Sequence, residues 1–222
     1  MTLYVLNPNS SASVTDAIDR AIDPLRAWGH PISCLTLAEG PPGIETQAQA
    51  DRVIAPLLDQ AKSLDDATGF VIACFGDPGL HALRDETSRP VVGIQEAAIS
   101  AALGLGHRFG IVAIRPASIP RHMRAIGAMG VLDRLAGDRA IDMGVTEKKG
   151  ARERMIAVGR RLRDEDGADV LILGCAGMAD DRRAIEDALC MPVVEPCQVG
   201  VAQALTRITL KMTHRPEPND AD

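Results

Sequence analysis

Two halves of this chain carry the same pattern about one hundred residues apart. Phe70-Val71-Ile72-Ala73-Cys74 superposes on Leu171-Ile172-Leu173-Gly174-Cys175 at an offset of 101, and Pro90-Val91-Val92 on Pro192-Val193-Val194 at 102. The stretches that follow align through Leu103 and Leu205, and residues 3–6 match 110–113 at about 107. Self-similarity at a fixed offset means that one structural plan is used twice. Within each copy, short β-branched or aliphatic runs close on Gly, Pro or Asn and give way to longer amphipathic stretches. The first copy reads as strands at 3–6, 32–37, 69–74 and 90–94, with helices over 13–28, 46–64 and 96–103 and a short one after Gly79. The second reads as strands at 108–114, 139–144, 169–175 and 192–194, with helices over 119–129, 149–165 and 199–210. Short apolar strands alternating with helices predict an α/β fold with a mostly parallel sheet in each half. The expected domains are residues 1–105 and 106–213, with the last helix able to pack onto the first half. A polar, Pro-rich tail at 214–222 is predicted to be disordered. Open parallel sheets bind ligands beyond the carboxyl ends of their strands, so the site is expected in the cleft between the halves.

Composition narrows the classes of function. Of 222 residues, 46% are hydrophobic, enough for a sizeable core. Lys+Arg 24 against Asp+Glu 30 leaves a formal charge of −6. That is the opposite of the basic footprint a nucleic-acid binder needs. One Trp, one Tyr and three Phe also remove the ring platforms of single-strand sites. No membrane association is expected, because no run reaches about 18 consecutive apolar residues. The opening Met1-Thr2-Leu3-Tyr4-Val5-Leu6 reads as a strand rather than a leader. The five cysteines (Cys34, Cys74, Cys175, Cys190 and Cys197) are odd in number and form no CxxC pair, and the five histidines show no HxxxH or HExxH spacing. Neither a disulfide framework nor a metal site is expected; the default is a cytoplasmic protein with reduced thiols and a small-molecule substrate.

What remains is a chemistry of thiols. Cys74 and Cys175 close equivalent strands, so halves that face each other would present them to one cleft from opposite sides. Two thiols flanking one substrate suit a reaction that needs a base on one face of a carbon and an acid on the other. A thiolate removes a proton next to a carbonyl, and a thiol returns one to the opposite face, inverting the centre. The cysteine pKa of about 8.5 has to fall for the base. The turns Gly76-Asp77-Pro78-Gly79 and Ala176-Gly177-Met178 are placed to supply backbone N–H groups for that purpose and for an enolate-like oxygen. A lone strand-end cysteine is more often a small buried hydrophobe. Cys34, Cys190 and Cys197 are read that way, although Cys197 follows the last strand and could face the same cleft.

Other residues carry weaker signals. Asn7 could hydrogen-bond a substrate carbonyl or serve a turn. Ser10 and Ser11 could offer hydroxyls or helix-start amides to an anionic group, or act as caps, and Ser13 with Asp16 is the expected N-cap pair. Phe75 and Met178, close behind the cysteines, could line a pocket or fill the core. Asp77 reads as the cap of its own Pro78-Gly79 turn, and Glu96 as a carboxylate favoured at a helix start. Arg115 could meet a substrate carboxylate. His81 and His122 read as surface residues, and the Arg-rich stretch 152–163 as a solvated helix face.

The segments Asn7-Pro8-Asn9-Ser10, Ala73-Cys74-Phe75-Gly76-Asp77-Pro78-Gly79-Leu80, Pro90-Val91-Val92-Gly93-Ile94-Gln95-Glu96-Ala97 and Leu173-Gly174-Cys175-Ala176-Gly177-Met178 resemble the hydantoin/allantoin racemase branch of the aspartate/glutamate racemase superfamily. The resemblance covers about residues 3–210. It implies two Rossmann-like subdomains, cofactor-independent two-base racemisation with Cys74 and Cys175 as the acid/base pair, and a homo-oligomer. Asn7, Ser10, Ser11, Phe75, Gly76, Arg115, Ala176, Gly177 and Met178 are the expected substrate contacts. The chain departs from the family pattern at Ala113-Ile114-Arg115-Pro116, where relatives carry a Thr-Thr pair, at Glu195-Pro196-Cys197-Gln198, and at Gln95, where a Gly is expected. The expected function is racemisation of a small cyclic ureide such as a 5-substituted hydantoin or allantoin. The alternatives are an aspartate/glutamate-type amino-acid racemase, with Arg115 on a side-chain carboxylate, or a decarboxylase or isomerase of the same superfamily. Two retained thiols count against a one-cysteine decarboxylase. A small-molecule binding module on the same fold is the non-enzyme reading, and loss of one cysteine would be its signature.

Overall fold

The structure, a computed structural model, describes residues 1–144, 147 and 149–214. The first half runs β1 (Thr2–Asn7), α1 (Ala12–Ile22), β2 (Ile32–Thr36), α2 (Gln47–Arg52), α3 (Ile54–Lys62), β3 (Ala67–Ile72), α4 (Leu80–Glu86), β4 (Val91–Gly93) and α5 (Ile94–Leu103). The second runs β5 (Phe109–Ala113), α6 (Ile119–Ala128), β6 (Leu135–Ala140), α7 (Ala151–Asp164), β7 (Val170–Leu173), α8 (Arg182–Leu189), β8 (Val193–Val194) and α9 (Pro196–Thr209). The strands form two four-stranded sheets, ordered β2-β1-β3-β4 and β6-β5-β7-β8, and every pairing is parallel. The repeat is therefore one of topology as well as of sequence.

Strands of parallel sheets are covered on both faces and read as continuous apolar runs. Phe70, Val71 and Ile72 of β3 and Leu171, Ile172 and Leu173 of β7 are all buried. Leu6 pairs with Ile72, and Val112 with Leu173. Beyond these rungs, the Ala73 N–H donates to the Leu6 carbonyl at 2.8 Å and the Gly174 N–H to the Val112 carbonyl at 2.9 Å. Cys74 and Cys175 thus stand one residue past equivalent ladders. Gly174 permits this in the second half, because a Cβ there would lie 2.8 Å from the Val112 carbonyl oxygen.

One cluster of buried side chains runs through both halves, joining Leu3, Val71 and Val92 to Val112, Leu171 and Val193. Helix α9 contributes Val201, Ala204 and Leu205 to it and lies back on the first half, where Gly200 sits against Val71 and Ile94. A second cluster gathers Leu57, Phe70 and Ile72, and a third joins Phe75 and Ile99 to Phe109 and Ile172.

Several boundaries differ from the sequence expectation. The helix over 13–28 divides: α1 ends at Ile22 and Asp23–Trp28 is a 3-10 stretch, since Pro24 has no N–H to continue the α ladder. Ser11 takes the N-cap position without a side-chain bond, in place of the Ser13/Asp16 pair. The helix over 46–64 breaks at Val53 into α2 and α3, and α2 opens on a Thr46/Gln49 capping box. Strand β6 ends at Ala140 instead of spanning 139–144; it is a half-exposed edge strand with little apolar signal. Helix α9 begins at Pro196, with the Glu195 carboxylate accepting from the Cys197 and Gln198 N–H groups. The tail expectation falls outside the described residues except at His214, whose Nε2 lies 3.0 Å from the Val91 carbonyl on β4. Among the described residues no helix is long and apolar enough to cross a membrane.

Candidate active site

Cys74 and Cys175 line one cavity at the carboxyl ends of β3 and β7. Matching turns follow them: the Asp77 N–H donates to the Cys74 carbonyl at 3.0 Å, and the Met178 N–H to the Cys175 carbonyl at 3.1 Å. Asn9 and Val14 come to the same wall from the β1–α1 connection, Ile44 from the segment before α2, and Ile114, Ser118 and Arg121 from the chain after β5. Ala73, Phe75, Gly174 and Ala176 complete it. The free volume is about 30 Å³, room for a few water molecules at most. A five-membered ring enters only when the walls part.

Of the expected substrate contacts, Phe75 and Ala176 stand in this wall with the two cysteines, while Asn7, Ser10, Ser11, Gly76, Arg115, Gly177 and Met178 lie outside it. Asn7 is fully buried, and its Nδ2 donates to Asn9 Oδ1 at 3.1 Å and to Thr15 Oγ1 at 3.0 Å, while its Oδ1 accepts from the Asn9 N–H. It orients Asn9. Because Asn9 Oδ1 also accepts from the Ser11 N–H at 2.9 Å, the Asn9 Nδ2 is the group open to a ligand. The Ser10 N–H is used by the Pro41 carbonyl, and the Ser11 hydroxyl lies 3.0 Å from that of Ser13. Arg115 pairs with Glu45 at 3.1 Å and with Asp142 at 3.8 Å, so protein carboxylates already occupy it. Met178 is buried in the core shared by the halves. Gly76 lines an adjoining cavity.

Two residues of α6 were misjudged or missed from sequence. His122 is completely buried, not at the surface as expected. Its Nδ1 lies 2.8 Å from Asp138 Oδ2, and its ring meets the Phe75 ring edge-on at a centroid distance of 4.9 Å. The available signal was its place four residues before the buried Ile126, on the inner stripe of the helix. Arg121 is also buried and lines the cavity that the two cysteines share; nothing in the local sequence marks it. Asp77, expected to cap its own turn, caps α5 instead, with Oδ1 and Oδ2 accepting the Gln95 and Glu96 N–H groups at 2.9 Å each. Gly93 makes room for it, since a Cβ there would collide with the carboxylate. Burial pushes the Asp77 carboxyl up to about 7, against the pull of the two amides.

Burial works against a Cys74 thiolate. Burial pushes Cys74 up to about 12; Arg121 pulls it down, and Cys175 and Asp77 push it further up. Desolvation outweighs the nearby cation. The Cys74 Sγ lies 3.8 Å from the Phe75 carbonyl oxygen. Burial also raises Cys34, to about 12, and Cys197. Both belong to the shared core or pack against it, whereas Cys190 is exposed at the end of α8.

Two repeated parallel sheets that bring a strand-end cysteine each to one cavity form the framework of a racemase-type α/β enzyme. A family model described as Asp/Glu/Hydantoin racemase matches residues 3–204. The hydantoin racemase of Paenarthrobacter aurescens is 34% identical over 218 residues, covering 95% of this chain and 92% of that protein. Among solved structures, the allantoin racemase from Klebsiella pneumoniae superposes with a TM-score of 0.89 at 29% identity, covering 100% of this chain and 96% of that one. The allantoin racemase from Pseudomonas fluorescens superposes at 0.91 with 27% identity and 100% coverage of both chains. The chain belongs to the Asp/Glu/hydantoin racemase family and is an isomerase.

Proposed function

We propose that this chain is a cofactor-independent racemase of a small cyclic ureide, a 5-substituted hydantoin or allantoin, with Cys74 and Cys175 as the acid/base pair. The observation that carries the reading is the presence of both thiols on one cavity at equivalent strand ends. The ureide class is supported by similarity to a hydantoin racemase and to allantoin racemases. In such a ring the C5–H bond lies next to the C4 carbonyl. A thiolate on one face takes the proton, and the electron pair moves onto the C4 oxygen as an enolate. The thiol on the other face protonates C5, leaving the opposite centre and the thiolate on the other cysteine. No electrons are exchanged with a further reactant. One cysteine is the base for one enantiomer, and the other is then the donor. The other enantiomer meets the enzyme with the proton transferred. The Asn9 Nδ2 group, held by Asn7, is placed to donate to a ring carbonyl.

Two subdomains, 1–105 and 106–213, supply one thiol each. A reaction that needs two thiols suits a reducing, cytoplasmic setting, and the exposed Leu105 and Leu132 are compatible with a homo-oligomer. The amino-acid racemase reading is weakened by the engagement of Arg115 with Glu45 and Asp142. Incubation with 5-substituted hydantoins and allantoin in deuterated water tests the proposal. Optical rotation should decay as deuterium enters C5, and Cys74→Ser and Cys175→Ser should each lower racemisation by about 10²–10⁴-fold. Normal racemisation by both single variants overturns the two-thiol assignment, and binding without exchange supports the binding-module alternative.

A further inference from the structure

Beyond Phe75 and Gly76 lies a second cavity, with a free volume of about 390 Å³, and Arg121 lines both it and the catalytic one. Arg121 is 8% exposed, and its Nε and Nη1 atoms have no hydrogen-bond partner. Its side chain crosses Gly76 so closely that a Cβ there would stand 2.6 Å from Nε; the backbone at Gly76 has φ +119°, which favours glycine. Gln95, on the wall of the second cavity, is 1% exposed, and both its Nε2 and Oε1 lack partners. A buried cation without a counter-charge and a buried amide without hydrogen bonds are both costly. The two acids on this wall are already engaged. Asp77 accepts the Gln95 and Glu96 amides, and Glu96 pairs with Arg84 at 3.0 Å. Arg124, also on the wall, donates to Gln47. An anion that accepts hydrogen bonds from a guanidinium and a carboxamide at once would engage both Arg121 and the Gln95 Nε2.

We propose that Arg121 and Gln95 form a subsite for a carboxylate carried on the substituent of the ring carbon, so that the preferred substrates are hydantoins with an acidic side chain. The inference rests on the ureide racemase reading for the ring and adds the chemistry of its substituent. A carboxylate on Arg121 and Gln95 Nε2 compensates the buried charge, which a neutral side chain leaves uncompensated. The competing role for Arg121, counter-charge to a Cys74 thiolate, acts on every substrate alike and is separable on that ground.

The test compares 5-(2-carboxyethyl)hydantoin with its uncharged isostere 5-(2-carbamoylethyl)hydantoin, reading kcat/KM by polarimetry and Kd by calorimetry. In the wild type the acid should be favoured by about thirtyfold or more in both readouts. In Arg121→Gln the ratio should fall toward one, the acid losing far more than the amide, and Arg121→Lys should keep part of the preference. Equal handling of acid and amide by the wild type overturns the proposal while leaving racemisation intact. Equal losses for both substrates in Arg121→Gln overturn it in favour of the thiolate role. If neither compound is racemised and allantoin is not either, the ureide racemase reading fails, and the Kd ratio still decides the subsite. Should Arg121→Gln not fold, Gln95→Leu and the wild-type ratio carry the test.

Discussion

Cys74 sits where two influences oppose each other, with Arg121 favouring the thiolate and burial favouring the thiol, and burial prevails. This has a kinetic consequence. In Cys175→Ser the remaining base is Cys74, whose thiolate fraction rises about tenfold per pH unit while the pH stays below its pKa. Exchange of the C5 hydrogen of one enantiomer by this variant should therefore climb steeply from pH 7 to 9. It can be followed by proton NMR in deuterated water after the uncatalysed rate is subtracted; a flat profile would mean that the thiolate is already formed at neutral pH. The residues around the thiols show why single positions are hard to read. The motif Asn7-Pro8-Asn9 points to the site, but the first asparagine is buried as a bracket and the second reaches the cavity. Arg115 looks like the available cation but pairs with Glu45, whereas no ion pair engages Arg121 Nε or Nη1 among the described residues. Which of two nearby arginines meets a carboxylate depends on Glu45 and Asp142, which are distant in sequence.

At the level of elements, the two copies solve the same crossing with different residues. Ala73 and Gly174 occupy the equivalent position past the ladder, but only the second has no space for a methyl group. Gly174→Ala should lower stability by about 1–3 kcal/mol, seen as a reduced melting temperature, and should depress racemisation by shifting the adjacent Cys175. Unchanged melting would show that β5 and β7 yield without strain. Asp77 ties the turn after Cys74 to the start of α5, and Asp77→Ala leaves the Gln95 and Glu96 N–H groups without that acceptor, at a cost of about 1–2 kcal/mol. The sign with pH follows from a folded-state pKa of about 7, raised above the ordinary carboxyl value of about 3.8. The carboxyl contributes its full stability below about pH 4 and loses it as pH rises through 7. Urea unfolding should therefore show the difference between wild type and Asp77→Ala shrinking between pH 4 and pH 7; a growing difference would mean that the ionised form is the better cap.

For the whole molecule, the decisive feature is a buried cluster that does not stop at the boundary between halves. Helix α9, last in the chain, is laid against β3 and α5 of the first half, so neither half is covered without the other. Thermal unfolding should be a single transition with matching calorimetric and van't Hoff enthalpies; two resolved transitions would show that the halves are independent. Ring-sized ligands require the catalytic walls to part, because the free space is about 30 Å³.

The repeat, the parallel α/β plan it implies and the approach of Cys74 and Cys175 to one cavity were readable from residues alone. Strands buried on both faces leave uninterrupted apolar runs, and a fixed offset carries a residue to the same place in each copy. Edge strand β6 was placed imperfectly because half-exposed residues leave no such run. The tertiary structure alone determined which polar side chains are withdrawn from water. Burial of Arg121 and His122, the capping of α5 by Asp77 from another loop, and the raised pKa of Cys74 all arise where segments far apart in sequence close over one another. Desolvation is a property of that closure, and local composition carries no trace of it.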